Sequence, residues 1–318
     1  MTTKPRENGA WKQQLSNESP SEKEKCSLSK DSALPPLYVI TVNYRSEQYV
    51  RRLRDLLGSV DVVNQLIIVD HSESALLTDL QGGCPTRVVR QRNEGYGAGL
   101  NRGLQEVEDR DAIALLCNPD VEIVNPERIP DILSFMAQNP QVGCVVPSLV
   151  DSSNQNAPHC RKFYSLKTLL ASRLPSRARD SLQFYRDHLY RNHNARQPFR
   201  VDWGSGCALF VRTSLFPDQV SFDERFFLYF EDVDLCTQLW QKGFEVVCYP
   251  KLFFMHHAQK KSHTKIRFFL HHVVSLVKYM NKYQGLPRRV DLQAAPAIDA
   301  QGERDIQNPK QTRKLTVG

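Results

Sequence analysis

Residues 37–70 read LYVITVNYRSEQYVRRLRDLLGSVDVVNQLIIVD, and this stretch decides the class of fold. Its two ends, LYVITVN and QLIIVD, are largely apolar runs of strand length. Between them, apolar side chains recur at helical spacing, at Val50, Leu53, Leu56 and Leu57. A strand, a helix and a second strand in this order predict two parallel strands joined by a crossover helix.

The same alternation continues through the next eighty residues. Further strands are predicted from the apolar runs TRVVRQ (86–91), AIALLCN (112–118) and VGCVVPSLV (142–150). Helices are predicted around Leu100 and Leu104 and after Asn125, which suits an N-cap followed by Pro126 at the first helical position. We therefore predict an α/β fold with a mostly parallel central sheet, helices on both faces, and a ligand crevice at the carboxyl ends of the strands.

One large domain with polar ends is expected. Residues 1–36 and 285–318 are rich in polar residues and proline with few large apolar side chains, so we predict a disordered leader and a disordered tail. The domain between them, 37–284, divides into a regular half, 37–150, and a less regular half, 151–284, which should build the acceptor side.

Composition excludes several classes of protein. The 318 residues are 24% charged and 41% hydrophobic, with a net charge of +7 and no long block of Lys or Arg, so a nucleic-acid partner is not expected. No run approaches the roughly 20 apolar residues of a membrane span, and the N-terminus has no apolar signal core. The eight cysteines show no C-x-x-C spacing and are expected to be buried hydrophobic residues. We expect a cytoplasmic enzyme.

The sequence lacks both of the common phosphate-binding motifs. The first strand-to-helix turn, NYRSEQ, contains no glycine, which excludes a dinucleotide-binding enzyme, and no G-x-x-x-x-G-K-[ST] motif occurs. The glycines lie instead in NEGYGAGLNRG (93–103), after the third strand. Such a run permits close approach of backbone to a diphosphate at a helix N-terminus, although a tight turn is the simpler alternative.

Carboxylates follow apolar strands at three places. Asp70 could accept hydrogen bonds from a base or ribose or cap a turn, and Asp120 could bind a divalent cation or belong to an Asn-Pro-Asp turn. Glu231, Asp232 and Asp234 fall in the first turn of a predicted helix, where the helix dipole explains one or two of them. Glycosyl transfer to a hydroxyl needs two separate carboxylate sites, one that binds a metal and one that accepts a proton.

The segment KIRFFLHHVVSLVKYMNK (265–282) predicts an amphipathic helix. Its apolar face comprises Ile266, Phe269, Leu270, Val273, Val277 and Met280. We favour a helix that covers the core with this face, and keep as the alternative a basic helix in peripheral contact with the inner membrane.

Taken in order, the motifs resemble those of family 2 glycosyltransferases of the GT-A fold, and within them the rhamnosyltransferase-like branch. The resemblance covers residues 37–284 and rests on VITVNY, IIVDHSE, RNEGYGAGLNRG, LLCNPDVEI, DWGSGCALFVR, FDERFFLYFEDVDLC and MHHAQKKSH. It implies a nucleotide-diphospho-sugar transferase fold and a divalent cation, Mg²⁺ or Mn²⁺.

The resemblance also implies the residues of the donor site and the metal site. The nucleotide-sugar ligands would be Asn43, Tyr44, Asp70, Asn93, Gly95, Gly97, Gly99 and Asn101. Asp120 would bind the metal, although the triplet is Asn118-Pro119-Asp120 and lacks the first carboxylate of the D-x-D pattern. His256 would be a late metal or diphosphate ligand, with His257 as the other registration.

For the acceptor side, the resemblance implies that Asp232 and Glu231 are the catalytic residues, with Asp232 as the general base. Trp203, Gly204, Ser205 and Gly206 would face the acceptor. The implied reaction is an inverting single displacement. It moves a sugar, with dTDP-rhamnose as the favoured donor, to a hydroxyl of a polysaccharide or lipid-linked oligosaccharide. The alternatives are a UDP-hexose or galactofuranose donor, or a nucleotide-sugar binding protein without turnover.

Overall fold

The computed structural model describes residues 34–72, 77, 83–150, 156–157, 159–191, 193, 196–256 and 265–294. Within these ranges the chain forms a ten-stranded sheet, a two-stranded sheet and helices packed on them. The predicted leader as far as residue 33, the predicted tail after residue 294, and His257 lie outside the described residues.

The first half is the regular α/β unit that the sequence predicts. Its elements are strands β1 (Leu37–Asn43), β2 (Val63–Asp70), β3 (Thr86–Arg90) and β4 (Ile113–Cys117) and helices α1 (Glu47–Leu57) and α2 (Tyr96–Gln105). These strands lie in the order β3-β2-β1-β4, and all three pairs are parallel. The polar ends of β1 and β2 therefore meet at one edge of the sheet.

The junction of the halves contains β5 (Val121–Ile123), α3 (Ile129–Gln138) and β6 (Val142–Val150). Asn125 and Pro126 occupy the predicted N-cap and first helical positions, but they open a 3₁₀ turn that precedes α3, and the Asn125 side chain makes no cap hydrogen bond. Instead, Asn125 Nδ2 donates to the carbonyl of Lys251 at 2.9 Å, and the Phe253 N–H donates to Asn125 Oδ1 at 2.8 Å. Hydrogen bonds to the backbone of a distant strand thus replace the local cap hydrogen bond.

The second half is built from shorter pieces. Its strands are β7 (Asn156–Ala157), β8 (Cys160–Arg161), β9 (Phe199–Arg200), β10 (Trp203–Gly204), β11 (Ala208–Arg212) and β12 (Glu245–His256). Its helices are α4 (Leu166–Ala171), α5 (Ser176–Ser181), α6 (Gln183–His188), α7 (Glu231–Gln241), α8 (Lys265–Lys282) and α9 (Arg289–Ala294). β11 inserts antiparallel between β4 and β6, and β12 runs parallel to β6, so the sheet is mixed but mostly parallel.

The hydrophobic core has two layers because successive strand residues point to opposite faces of the sheet. On β1, Ile40 and Val42 belong to one layer and Val39 to the other. Helix α2 lies very close to β1, since a Cβ added at Gly103 would stand 2.3 Å from Ile40 Cγ2. The seven described cysteines are free and buried, as predicted, whereas Cys26 lies outside the described residues.

Two features of the C-terminal region differ from the predictions. Helix α9 lies within the predicted tail, and its Leu292 is buried. Arg289 stacks over the Trp240 ring, with the guanidinium carbon 5.3 Å from the ring centre. Helix α8 does not cover the core with its apolar face: Ser275 and Tyr279 are buried, whereas Ile266 is 77% exposed. No described helix is long and apolar enough to cross a membrane.

Candidate active site

The ends of β1 and β2 present a hydrogen-bonded polar cluster. The parallel register places Asn43 opposite Asp70, and both side chains are fully buried. Asn43 Nδ2 donates to Asp70 Oδ1 at 2.8 Å and to Ser72 Oγ at 3.1 Å, while the Ser72 N–H donates to Asp70 Oδ1 at 3.0 Å. The carboxylate is thus oriented at the sheet edge by its own neighbours.

Tyr44 and His71 follow these two strands and have different surroundings. Tyr44 is half exposed, with the Arg45 guanidinium over its ring, 5.4 Å from the ring centre. His71 is buried, and burial lowers the pKa of its imidazole. A Cβ at Gly99 would stand 2.9 Å from His71 Cε1, which means that the neutral ring packs directly on α2.

The glycine run brings the two halves into contact. Gly95 has φ 119°, and a Cβ there would lie 2.7 Å from the carbonyl oxygen of Phe227. Tyr96 N–H donates to that same oxygen at 3.0 Å, and Asn93 Oδ1 accepts the Gly95 N–H at 3.2 Å. A Cβ at Gly97 would stand 3.5 Å from Glu231 Cβ. Small residues are therefore needed here for close packing of α2 against the start of α7.

Asn101 lies further along α2, and its amide is engaged by another loop. Its Nδ2 donates to the Phe222 carbonyl at 2.8 Å and to Glu224 Oε1 at 3.0 Å, and the Phe222 N–H donates to its Oδ1 at 3.0 Å. The structure thus places Asn101 as a clamp on the 222–224 loop, apart from the cluster of Asn43 and Asp70.

Asp120 and His256 converge although they are far apart in sequence. Antiparallel pairing of β12 with β5 sets His256 opposite Val121, and His256 Nε2 lies 3.2 Å from Asp120 Oδ1. The Asn118 amide nitrogen is 3.5 Å from the same imidazole nitrogen. Carboxylate and imidazole are ligand types that divalent cations accept, so this pair fits a cation such as Mn²⁺ or Mg²⁺.

Asp232 is held at the N-terminus of α7 by two backbone donors. Its Oδ2 accepts the Gly206 N–H at 2.9 Å and its Oδ1 accepts the Val233 N–H at 2.8 Å. Burial raises the pKa of Asp232, while these two hydrogen bonds and the charge of Arg161 oppose the increase. The carboxylate is therefore oriented and more basic than an exposed aspartate, as a general base requires.

Glu231 has a different environment from its neighbour. Its side chain is only 5% exposed, and Oε2 has no hydrogen-bond partner. Burial, together with the charge of Asp232, raises the pKa of Glu231 well above its ordinary value. Two adjacent carboxyl groups with unequal hydrogen bonding divide into a neutral acid and an anion.

The third carboxylate of this turn, Asp234, is a structural anchor. It is fully buried and accepts hydrogen bonds from Lys282 Nζ at 2.9 Å, Tyr283 Oη at 2.8 Å and Gln238 Nε2 at 2.7 Å. The residue thus attaches the end of α8 to α7, which accounts for a carboxylate that the helix dipole alone does not explain.

The chain enters α7 through a strained turn. Tyr229 and Phe230 both have φ 67°, a left-handed conformation that costs non-glycine residues about 1–3 kcal/mol each. Aromatic packing holds the turn: Phe230 lies 5.4 Å from both Tyr164 and Tyr279, measured between ring centres. This turn directs the start of α7, and with it Asp232, towards Gly206.

The four predicted acceptor residues have distinct positions. Trp203 is buried and donates its indole N–H to the Lys162 carbonyl at 3.0 Å, and a Cβ at Gly204 would lie 2.4 Å from Val146. The Ser205 N–H donates to the His159 carbonyl at 2.9 Å, and Gly206 contacts Asp232 directly. Trp203 and Gly204 thus build the wall behind the loop, and Gly206 reaches the candidate base.

Sequence reasoning missed three residues of this region. The Arg161 guanidinium stacks over Trp203 with its central carbon 4.8 Å from the ring centre, and Tyr164 packs between Trp203 and Phe230 at 5.4 Å from each. Tyr96 Oη donates to the Gly206 carbonyl at 3.1 Å. Tyr96 lies inside the glycine motif and could have been noticed, whereas Arg161 was one of many basic residues without a motif.

Comparisons with known proteins identify the family and the fold. The family described as Glycosyltransferase like family 2 matches residues 35–270. The N-acetylglucosaminyl-diphospho-decaprenol L-rhamnosyltransferase of Mycobacterium tuberculosis is 30% identical over 179 residues, which are 52% of this chain and 56% of that protein. The chain therefore spans about half the length of this relative.

Two further similarities cover more of the chain. Rhamnosyltransferase WbbL of Escherichia coli K12 is 22% identical over 80% of this chain and 96% of its own length. The crystal structure of GalNAc-T7 with UDP, GalNAc and Mn²⁺ has a TM-score of 0.52 at 15% identity, covering 71% of this chain and 44% of that one. The sheet order and the matched residues together show that the chain adopts the GT-A fold and belongs to glycosyltransferase family 2.

Proposed function

We propose that this protein is an inverting glycosyltransferase that moves a sugar, with rhamnose favoured, from a nucleoside-diphosphate donor to a hydroxyl of a polysaccharide or lipid-linked oligosaccharide. The observation that carries the proposal is Asp232, a buried carboxylate oriented by the Gly206 and Val233 N–H groups beside Glu231, whose pKa is raised by burial. The two rhamnosyltransferases among the relatives support the choice of sugar.

In this reaction Asp232 accepts the proton of the acceptor hydroxyl. The acceptor oxygen forms the new bond to the anomeric carbon while the bond from that carbon to the diphosphate oxygen breaks. Attack from the face opposite the leaving group inverts the anomeric configuration. Burial and the charge of Asp232 raise the pKa of Glu231 and so disfavour a second negative charge next to the base.

The donor site would use the polar strand ends. Asp70, oriented by Asn43 and Ser72, would accept hydrogen bonds from the base or ribose, and the half-exposed Tyr44 ring would stack on the base. Asp120 and His256 would hold a divalent cation, Mg²⁺ or Mn²⁺. When bound, such a cation neutralises negative charge on the departing nucleoside diphosphate.

The test of the base compares two isosteric variants. Asp232→Asn should lower kcat by about 10²–10⁴-fold while the donor still binds, because asparagine cannot accept the proton and can keep only one of the two backbone hydrogen bonds that orient the side chain. Glu231→Gln, at the adjacent position, is the matched control. Glutamine resembles protonated glutamate, so this variant should keep most of the transfer activity. Full transfer by Asp232→Asn, or equal loss in both variants, would contradict the assignment.

The donor is tested by thermal shift of the purified protein with dTDP-rhamnose, UDP-glucose, UDP-galactose and GDP-mannose, each with and without Mn²⁺. A shift confined to the thymidine donor and increased by metal supports rhamnosyl transfer. A shift with a uridine or guanosine donor keeps the mechanism and changes the sugar. No shift with any donor would favour a binding protein of another ligand.

A further inference from the structure

Helix α8 turns its apolar side away from the protein. Its buried residues, Ser275 and Tyr279, face the segment before α7, where Ser275 Oγ donates to the Leu228 carbonyl at 2.8 Å. Large apolar side chains on the outer side are 40% to 77% exposed; they are Ile266, Phe268, Phe269, Leu270, Val274 and Val277. A helix that buries a serine and exposes this many apolar groups has an unpartnered face.

Helix α4 and the turn after it continue this face. Leu166, Leu170 and Leu174 are 67%, 73% and 44% exposed. The Arg173 guanidinium lies over the ring of Phe269, with its central carbon 4.7 Å from the ring centre, and so joins α4 to α8. We call these outward side chains of α4, its following turn and α8 the apolar surface; its extent exceeds the scattered exposure normal for a protein surface.

The chain around the apolar surface is strongly basic. Residues 161–191 contain eight Lys or Arg and two Asp, and residues 265–282 contain four Lys or Arg and no Asp or Glu. Lys167, Arg173 and Arg177 are exposed beside the leucines of α4. A second copy of this surface would bring like charges together, whereas an anionic bilayer offers negative headgroups above an apolar interior.

The apolar surface also adjoins the acceptor side of the candidate active site. On α8, the His272 ring lies 5.4 Å from Tyr229 and 5.2 Å from Phe230, the strained pair that leads into Glu231. α4 begins directly after Tyr164, whose ring contacts Trp203. Both apolar helices are therefore attached to the aromatic residues around Asp232.

We propose that α4 and α8 form a membrane-docking surface that rests on an anionic phospholipid bilayer and holds the acceptor cleft at the level of the headgroups. The docking itself does not depend on catalysis; only its use, presentation of a lipid-linked acceptor to Asp232, rests on the proposed function. Exposed apolar side chains enter the bilayer interface while the surrounding Lys and Arg side chains remain among the phosphates.

The test is co-sedimentation of the full chain with vesicles of phosphatidylcholine alone or mixed with phosphatidylglycerol. Binding should require the anionic lipid and weaken with salt. The double variant Leu170→Glu with Phe269→Glu should lower partitioning by about tenfold or more, because both side chains are exposed in the free protein. Val290→Glu is the matched control: Val290 is 74% exposed on α9, outside the apolar surface, and its change should leave binding intact.

Three results would overturn the proposal. They are no binding to anionic vesicles, equal binding by the double variant, or a dimer in analytical ultracentrifugation that the double variant dissociates, which would assign the surface to a second copy. A thermal shift with the nucleotide-sugar donor, measured on the same variants, separates the two hypotheses. If a variant loses vesicle binding but keeps its thermal shift with the donor, the result bears on docking alone. If the parent protein shows no thermal shift with the donor, it is the proposed function that fails.

Discussion

The two halves of the domain position their polar side chains in different ways. In the first half, Asn43 and Asp70 end adjacent parallel strands, and the sheet register alone places them side by side. In the second half, Asp232 meets Gly206 and Arg161 only because a strained turn, a short two-stranded sheet and a helix converge. The donor side is thus organised by regular strands and the acceptor side by irregular packing.

This difference has an electrostatic counterpart. Asp70 is satisfied by hydrogen bonds from Asn43 and Ser72, whereas burial raises the pKa of both Glu231 and Asp232 and leaves one oxygen of Glu231 without a partner. Unsatisfied carboxyl groups are costly and persist where chemistry needs them. This difference agrees with the proposal that the first half recognises the donor and the second half accepts the proton.

The largest effect on donor binding is expected at the strand ends. Asp70→Asn keeps the shape of the side chain and removes its charge, so donor binding should weaken about tenfold to a hundredfold, as expected for loss of a hydrogen bond to a charged group. Titration calorimetry with the donor measures this, and Asp55→Asn, an exposed change on α1, is the control. Unchanged affinity would mean that the first half does not recognise the nucleotide through this carboxylate.

A smaller effect should distinguish two glycines of the predicted acceptor loop, one packed against the core and one in contact with the candidate base. Gly204→Ala would place a Cβ 2.4 Å from Val146 and should lower stability by about 1–3 kcal/mol through overpacking. Gly206→Ala would place a Cβ 3.3 Å from Asp232 Cβ, so the variant should melt near the parent temperature but lose kcat. Thermal denaturation and transfer assays on both variants check the contrast, which fails if the two lose stability equally.

The smallest effect is the pH dependence of Glu231→Gln. The pKa of Glu231 in the folded protein is raised above its ordinary 4.5. The contribution of its protonated form to stability is therefore fully present below pH 4.5 and is lost as the pH rises through the folded pKa. Because glutamine cannot ionise, the free energy of unfolding of the variant should rise relative to that of the parent by about 1 kcal/mol or more between acidic and alkaline pH. Urea denaturation across pH measures this difference; a constant difference would contradict the unequal carboxyl pair.

Much of the first half could be predicted from sequence because its signals are local. The run LYVITVN became β1, and the motif around Asp70 predicted a polar strand end where the structure has one. Local signals failed where a distant partner competed. Asn125 binds the backbone of β12 instead of capping α3, and α9 packs on Trp240 inside the segment predicted as tail.

Helix α8 shows the same limit in another form. Its periodicity predicts an amphipathic helix, and the structure contains one. Periodicity does not say which face turns inwards, since that depends on the helices and loops available as partners. Here Asp234 binds Lys282 and the Leu228 carbonyl accepts from Ser275, so specific polar contacts bury the polar side and leave the apolar side exposed.

The sequence by itself determined the order of strands and helices, the polar residues at the strand ends, and the family, because apolar periodicity and short motifs act over a few residues. Only the tertiary structure decided that His256 reaches Asp120, that Asp232 is hydrogen-bonded while burial raises the pKa of Glu231 well above its ordinary value, and that the charge of Arg161 acts on Asp232. These are contacts between residues tens to hundreds of positions apart, and burial and charge acquire their effect only when the folded chain brings such residues together.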